Sequence, residues 1–134
     1  EELQKVLFDI LDTPISPELL PAGSDGKIAQ LSEDTLGPYE LHDFFLYHFV
    51  RHGDSPKKIL MLAKIAFNGK YNADEIKSRL VLFLKRFFKF QFKRSCTADG
   101  PKVGMVSLSP RGDWRMPSDV QVDMWIKELE QQNA

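Results

Sequence analysis

One cysteine stands in the 134-residue sequence, Cys96, so no disulfide can form within the chain. That usage fits a reducing compartment and a cytoplasmic setting. No apolar run approaches the roughly 20 residues that span a bilayer, so no membrane partner is expected. Neither an internal repeat nor a low-complexity tract is present. The start, Glu1-Glu2, is acidic and unlike a signal or transit peptide. Neither end carries an initiator methionine, which suggests a piece of something longer. Charge of one sign is also lacking overall: the net charge is -1. Apolar residues at 43% and charged residues at 28% are ordinary globular values, which excludes collagen-like and disordered classes. The length suits one domain, 1–134.

The near-zero charge hides an asymmetry. Residues 1–54 sum to -8, residues 57–94 to +9, and residues 95–134 to -2. The basic third either complements the acidic one, lies in solvent, or meets phosphates.

Periodicity predicts a mainly helical chain with long loops. Leu3, Val6, Leu7 and Ile10 mark a short amphipathic helix over 2–11. Pro14, Pro17 and Pro21 make 12–31 a loop. Gly37-Pro38 opens an apolar helix that Gly53 ends; Ser55-Pro56 opens another, which stops near Asn68-Gly69. Asn72, with Glu75 three residues on, caps the longest helix, read as 73–93. Its core stripe is Ile76, Leu80, Phe83, Leu84, Phe87 and Phe90, with Arg79, Lys85, Arg86, Lys89 and Lys93 opposite. Residues 95–117 read as an extended loop, with a strand possible only over Lys102 to Leu108. Ser118 with Gln121 suggests a cap for a last helix along Val122, Trp125, Ile126 and Leu129.

Four short patterns are weak signals of chemistry. His48 and His52 are four apart, but two ligands are too few for a metal, and none is expected. Cys96 lacks a partner base. Arg111-Gly112-Asp113 is too short to carry meaning. The phenylalanines among the basic residues 85–94 lie mainly on the core stripe, which leaves few free to stack on a base. More informative is the 92–119 stretch, irregular yet bearing Lys93, Arg94, Lys102, Arg111 and Arg115. Physics alone reads it as a loop that binds a phosphate or carboxylate, or one docked on an acidic neighbour. Lys93 and Arg94 also sit where a helix dipole favours cations.

Here the chain resembles a known family. Lys93-Arg94-Ser95-Cys96, Asp99-Gly100-Pro101-Lys102-Val103 and the run Ser107 to Asp119 (SLSPRGDWRMPSD) are similar to the C-terminal end of the large glutamine-dependent NAD synthetases of bacteria. Two upstream blocks agree, Asp9 to Leu20 and Gly37 to Phe45. The resemblance implies a parent enzyme that amidates deamido-NAD to NAD. ATP, with magnesium, adenylates the nicotinate carboxylate, and ammonia drawn from glutamine attacks the adenylate. It implies that the chain is the helical C-terminal portion of a Rossmann-like synthetase domain of the adenine nucleotide alpha hydrolase-like, ATP pyrophosphatase type. The glutaminase part and the Ser-Gly-Gly-x-x-Ser phosphate loop are absent from this sequence, so the piece alone should be inactive. By resemblance Lys93 contacts deamido-NAD, and Gln30, Glu33, Asp34 and Arg94 lie on the substrate side. Arg111 and Arg115 match the family string without an assigned contact, and no catalytic residue is assigned. The sequence departs mildly at Thr97-Ala98, where Leu-Pro is frequent, and at Phe90, where Gln is. Partners implied are deamido-NAD, ATP, glutamine, the missing parts of the enzyme and further copies in a homo-oligomer, with no nucleic acid. The alternative is a small helical interaction module that binds nucleic acid or protein through its basic helix.

Overall fold

A computed structural model describes residues 2–13 and 32–131. The chain divides into two units, 1–37 and 38–134. Among the described residues no strand occurs, as a mainly helical reading requires. No helix among them is long and apolar enough to cross a membrane.

The first unit holds α1 (Glu2–Leu11) and α2 (Ser32–Leu36). α1 matches the predicted span and buries none of its residues. α2 carried no sequence signal beyond Glu33 and Asp34, which occupy its first turn where the helix dipole favours acids. Most of the predicted 12–31 loop, and Gln30 with it, lies outside the described residues.

The second unit holds α3 (Tyr39–Leu46), a π-helical turn (Tyr47–Arg51), α4 (Pro56–Ala66), α5 (Ala73–Lys89), α6 (Gln91–Ser95) and α7 (Asp123–Glu130). The start signals act as the sequence predicts. The Lys58 N–H donates to Ser55 Oγ at 3.4 Å, with Pro56 in the first turn of α4. The Glu75 N–H donates to Asn72 Oδ1 at 2.7 Å. Gly53 ends the π-turn at φ +66°, a left-handed conformation that side chains rarely adopt.

α5 is the central helix and packs against α3, α4 and α7. Ile76, Leu80, Phe83, Leu84 and Phe87 are buried, as the stripe predicts. They meet Leu41, Phe45 and Phe49 from the α3 side, Ile59, Leu60 and Ala63 of α4, and Val122, Ile126 and Leu129 at α7. The irregular 96–122 segment lays Leu108, Trp114, Met116 and Val120 against this core. Trp114 closes on Phe87 and Phe49, with ring centroids 5.3 and 5.5 Å away.

Three expectations need correction. The 73–93 helix is broken: α5 ends at Lys89, Phe90 leaves helical geometry at φ -98° and ψ 16°, and α6 begins at Gln91. The cause is tertiary. The Phe87 carbonyl, which an unbroken helix would pair with the Gln91 N–H, accepts from the Arg94 guanidinium. Phe90 consequently leaves the core stripe and is half-buried, while Phe88 is buried. Ser118 and Gln121 do not cap α7; Val122 holds the cap position without a side-chain hydrogen bond, and the Gln121 amide turns to the Asp119 carbonyl at 3.3 Å. Lys102 to Leu108 forms no strand.

Two carboxylates brace the second unit. Glu40 accepts from Lys70 at 2.7 Å and from the Tyr71 hydroxyl, and these bonds hold its carboxyl below the ordinary value. Asp54 accepts from Lys58 at 2.7 Å and pairs with His48 Nδ1 at 2.9 Å, with the same effect. A carboxylate whose folded pKa is depressed stabilises fully above its unfolded pKa of about 4, and that contribution vanishes as pH falls through the folded value. Thermal stability is expected to hold down to about pH 5 and to drop below about pH 4. Glu40→Gln should make the acid limb shallower. An unaltered limb in melts taken across that range would contradict this.

Candidate functional site

The site is built on the short α6 and the loop that follows it. Gln91 is fully buried, and it is the only buried polar side chain among the described residues. Its amide Nε2 donates to the Met116 carbonyl at 3.1 Å, and its Oε1 accepts from Arg94 Nε at 3.0 Å. The Ser95 hydroxyl donates to the Gln91 carbonyl at 3.2 Å. One side chain therefore ties α6 to the far end of the loop, 25 residues away. A lone glutamine reads as an exposed helix residue, so nothing in the sequence singled it out.

Of the five cations that the sequence groups together, four have polar partners inside the unit. Arg94 is half-buried, bonded to Gln91 and the Phe87 carbonyl, with its guanidinium 4.2 Å from the centroid of the Phe87 ring. Burial lowers its pKa from the ordinary value. Arg111 pairs with Asp99 at 2.9 Å and donates to the Thr97 carbonyl at 2.8 Å. Lys102 pairs with Asp113 at 3.0 Å. Arg115 donates to the Arg111 carbonyl at 3.1 Å. These contacts shape the loop. They also account for the Arg111-Gly112-Asp113 tripeptide, whose charged members both have partners within it or near it.

Lys93 differs. It is exposed, and its ammonium has no hydrogen-bond or carboxylate partner among the described residues and rests 4.9 Å from the Phe90 ring centroid. The aromatic face attracts the cation without neutralising it. It remains available to an anion, and the bound Arg94 beside it fixes the turn on which it stands. Chemically, the arrangement presents the Lys93 charge on the turn that Arg94 and Gln91 hold.

Glu33 and Asp34 are exposed residues of α2, in the separate 1–37 unit, and Gln30 is not described. Arg94 is adjacent to Lys93, yet its donors serve the fold. Among the described residues no three His, Cys, Asp or Glu side chains form a metal-binding group. His48 Nδ1 is engaged by Asp54, and the His48 and His52 rings are 5.5 Å apart.

Comparison with known proteins supports the resemblance. The chain is 41% identical, over 150 aligned positions, to a glutamine-dependent NAD(+) synthetase of Mycobacterium leprae. It is 39% identical to the enzymes of that name from Mycobacterium bovis and Mycobacterium tuberculosis. Each match covers 98% of this chain and 22% of the relative. No family model matches, and no solved structure matches. Along nearly its whole length the chain is similar to the C-terminal part of these synthetases, and it spans 22% of their length.

Proposed function

We propose that this chain is the C-terminal part of a glutamine-dependent NAD synthetase, and that it completes the deamido-NAD site of a parent enzyme. The similarity at 39–41% identity over 98% of the chain carries this reading. The free ammonium of Lys93 supports its finer part. In the parent reaction ATP adenylates the nicotinate carboxylate of deamido-NAD, pyrophosphate leaves, and ammonia derived from glutamine displaces AMP to give the amide. Lys93 would bind and orient the substrate through its negative charge, holding the carboxylate for adenylation. Arg94 and Gln91 act as positioning residues, because they fix the α6 turn and the loop. In the same reading Gln30, Glu33 and Asp34 belong to the substrate side of the parent enzyme.

ATP and magnesium would be held by the Rossmann-like part that lies outside these 134 residues. Among the described residues, no group of three carboxylate, histidine or cysteine side chains offers itself to a metal. The parent would work in the cytoplasm as a homo-oligomer. The rival reading, a module that binds nucleic acid through its basic helix, has less support. Phe83, Phe87 and Phe88 are buried in the core and present no ring for base stacking, so of that stretch only the exposed Phe92 and the half-buried Phe90 remain.

The experiment is direct. The protein expressed from its full reading frame should form NAD from deamido-NAD, ATP and glutamine, and the 134-residue chain alone should form none. Turnover by the short chain would refute the assignment of its role, and inactivity of the full protein would refute the family reading.

A further inference from the structure

A cleft of about 620 Å³ lies between the end of α5 and the start of α7. Lys85, Arg86, Lys89 and Phe90 line one side, and Gln121 to Asp123 line the other. The Arg86 guanidinium and the Lys89 ammonium stand 5.1 and 5.9 Å from the Phe90 centroid, alongside Lys93. None of Lys85, Arg86 and Lys89 has a carboxylate partner among the described residues.

The dipole of α5 does not account for this concentration. The C-terminus of a helix offers about half a negative elementary charge, against three cations. Asp123 at the rim adds a single negative charge. No side chain caps the start of α7, whose positive end faces the same cleft. The surface is thus left with uncompensated positive charge around a concavity, within the usual small-ligand range of roughly 300–1,000 Å³.

We propose that this cleft binds a compact, multiply charged phosphate ligand, a di- or triphosphate, through Arg86, Lys89 and Lys85. An acidic peptide fits less well. Same-side carboxylates on an extended strand recur only every 6–7 Å or so, whereas a phosphate chain carries several charges within about that length. Arginine and lysine together suit phosphate oxygens, the first by its planar fork and the second as a point charge. The inference stands on charge and geometry alone and does not depend on the role of Lys93.

Isothermal titration of the 134-residue chain with tripolyphosphate should show saturable binding. The Arg86→Gln/Lys89→Gln double variant should weaken it at least about tenfold, a change of about 1.4 kcal/mol. The Lys57→Gln/Lys64→Gln pair on α4, which does not line this cleft, should leave it within about twofold. Amide shifts in the wild-type chain should map to Phe90 and Val122, which decides the matter even if a variant loses helicity. A parallel titration with ATP separates the sources: tighter binding than tripolyphosphate assigns the site to a nucleotide's phosphate chain, and equal binding to free oligophosphate. Absence of saturable binding would overturn the proposal. So would tighter binding of polyglutamate or of an oligonucleotide, or equal loss in both double variants. A failed dinucleotide reading would show instead in the response to Lys93 substitution.

Discussion

Replacing Gln91 by leucine is expected to destabilise the protein by ~2–3 kcal/mol, although the volume is nearly conserved. The reason is what the change leaves behind. The Met116 carbonyl loses its donor at 3.1 Å and the Arg94 Nε loses its acceptor at 3.0 Å. Both groups sit against the aromatic core, where an unmet polar group costs roughly 1–3 kcal/mol. A chain of this size should lose roughly 5–15 °C in Tm. Gln91→Glu should destabilise too: it keeps an acceptor for Arg94 but sets a carboxylate oxygen against the Met116 carbonyl at a buried position. The loss also has a functional side. With Gln91 gone, Arg94 has less to hold it on the Phe87 carbonyl, and the break between α5 and α6 is free to close. Lys93 would then move from its present turn. A melt within about 2 °C of the parent would show that Gln91 does not hold this junction.

Lys93→Met in the full-length enzyme should raise the KM for deamido-NAD about 10- to 100-fold. That is the effect of losing one charge-assisted contact of ~1.5–3 kcal/mol. Methionine keeps the length and apolar stem of the side chain, and Lys93 is exposed, so folding should be unaffected. Hydrolysis of glutamine should continue nearly unchanged, because it is assigned to another part of the enzyme. Lys93→Arg should restore part of the substrate affinity through charge alone. If the contact forms only as the carboxylate is activated, kcat falls with kcat/KM and the KM stays put. Unchanged values of both parameters would show that Lys93 does not meet the substrate.

Local rules made much of this fold legible. Ser55-Pro56 and Asn72 announce helix starts through chemistry confined to four residues, and both act as caps. The 3.6-residue spacing of Ile76, Leu80, Phe83, Leu84 and Phe87 foretells the buried face of α5. What the sequence concealed depends on contacts made at a distance. The break at Phe90 follows from a guanidinium seven residues ahead that bonds the Phe87 carbonyl, and no propensity encodes that. Gln91 is buried only because Met116, far along the chain, supplies an acceptor. The cap of α7 misled for the same reason. Ser118 has suitable chemistry, but Val122 enters the core and sets the helix start four residues later.

The candidate site shows the same division. Composition led to five cations in the 93–115 stretch without ranking them, and only the family resemblance gave the substrate contact to Lys93. The structure separates them by partner: Arg94, Lys102, Arg111 and Arg115 hold the loop, and Lys93 remains uncommitted. A lone lysine in a string of basic residues carries no mark of that difference. Only the positions of Gln91, Asp99 and Asp113 reveal it.

The central claim is that the Lys93 ammonium meets the negative charge of a dinucleotide. The structure of the intact enzyme with deamido-NAD bound tests it most directly. Lys93 Nζ should lie about 3 Å from a carboxylate or phosphate oxygen of the ligand. An ammonium still resting over Phe90, with the dinucleotide bound beyond its reach, would contradict the account.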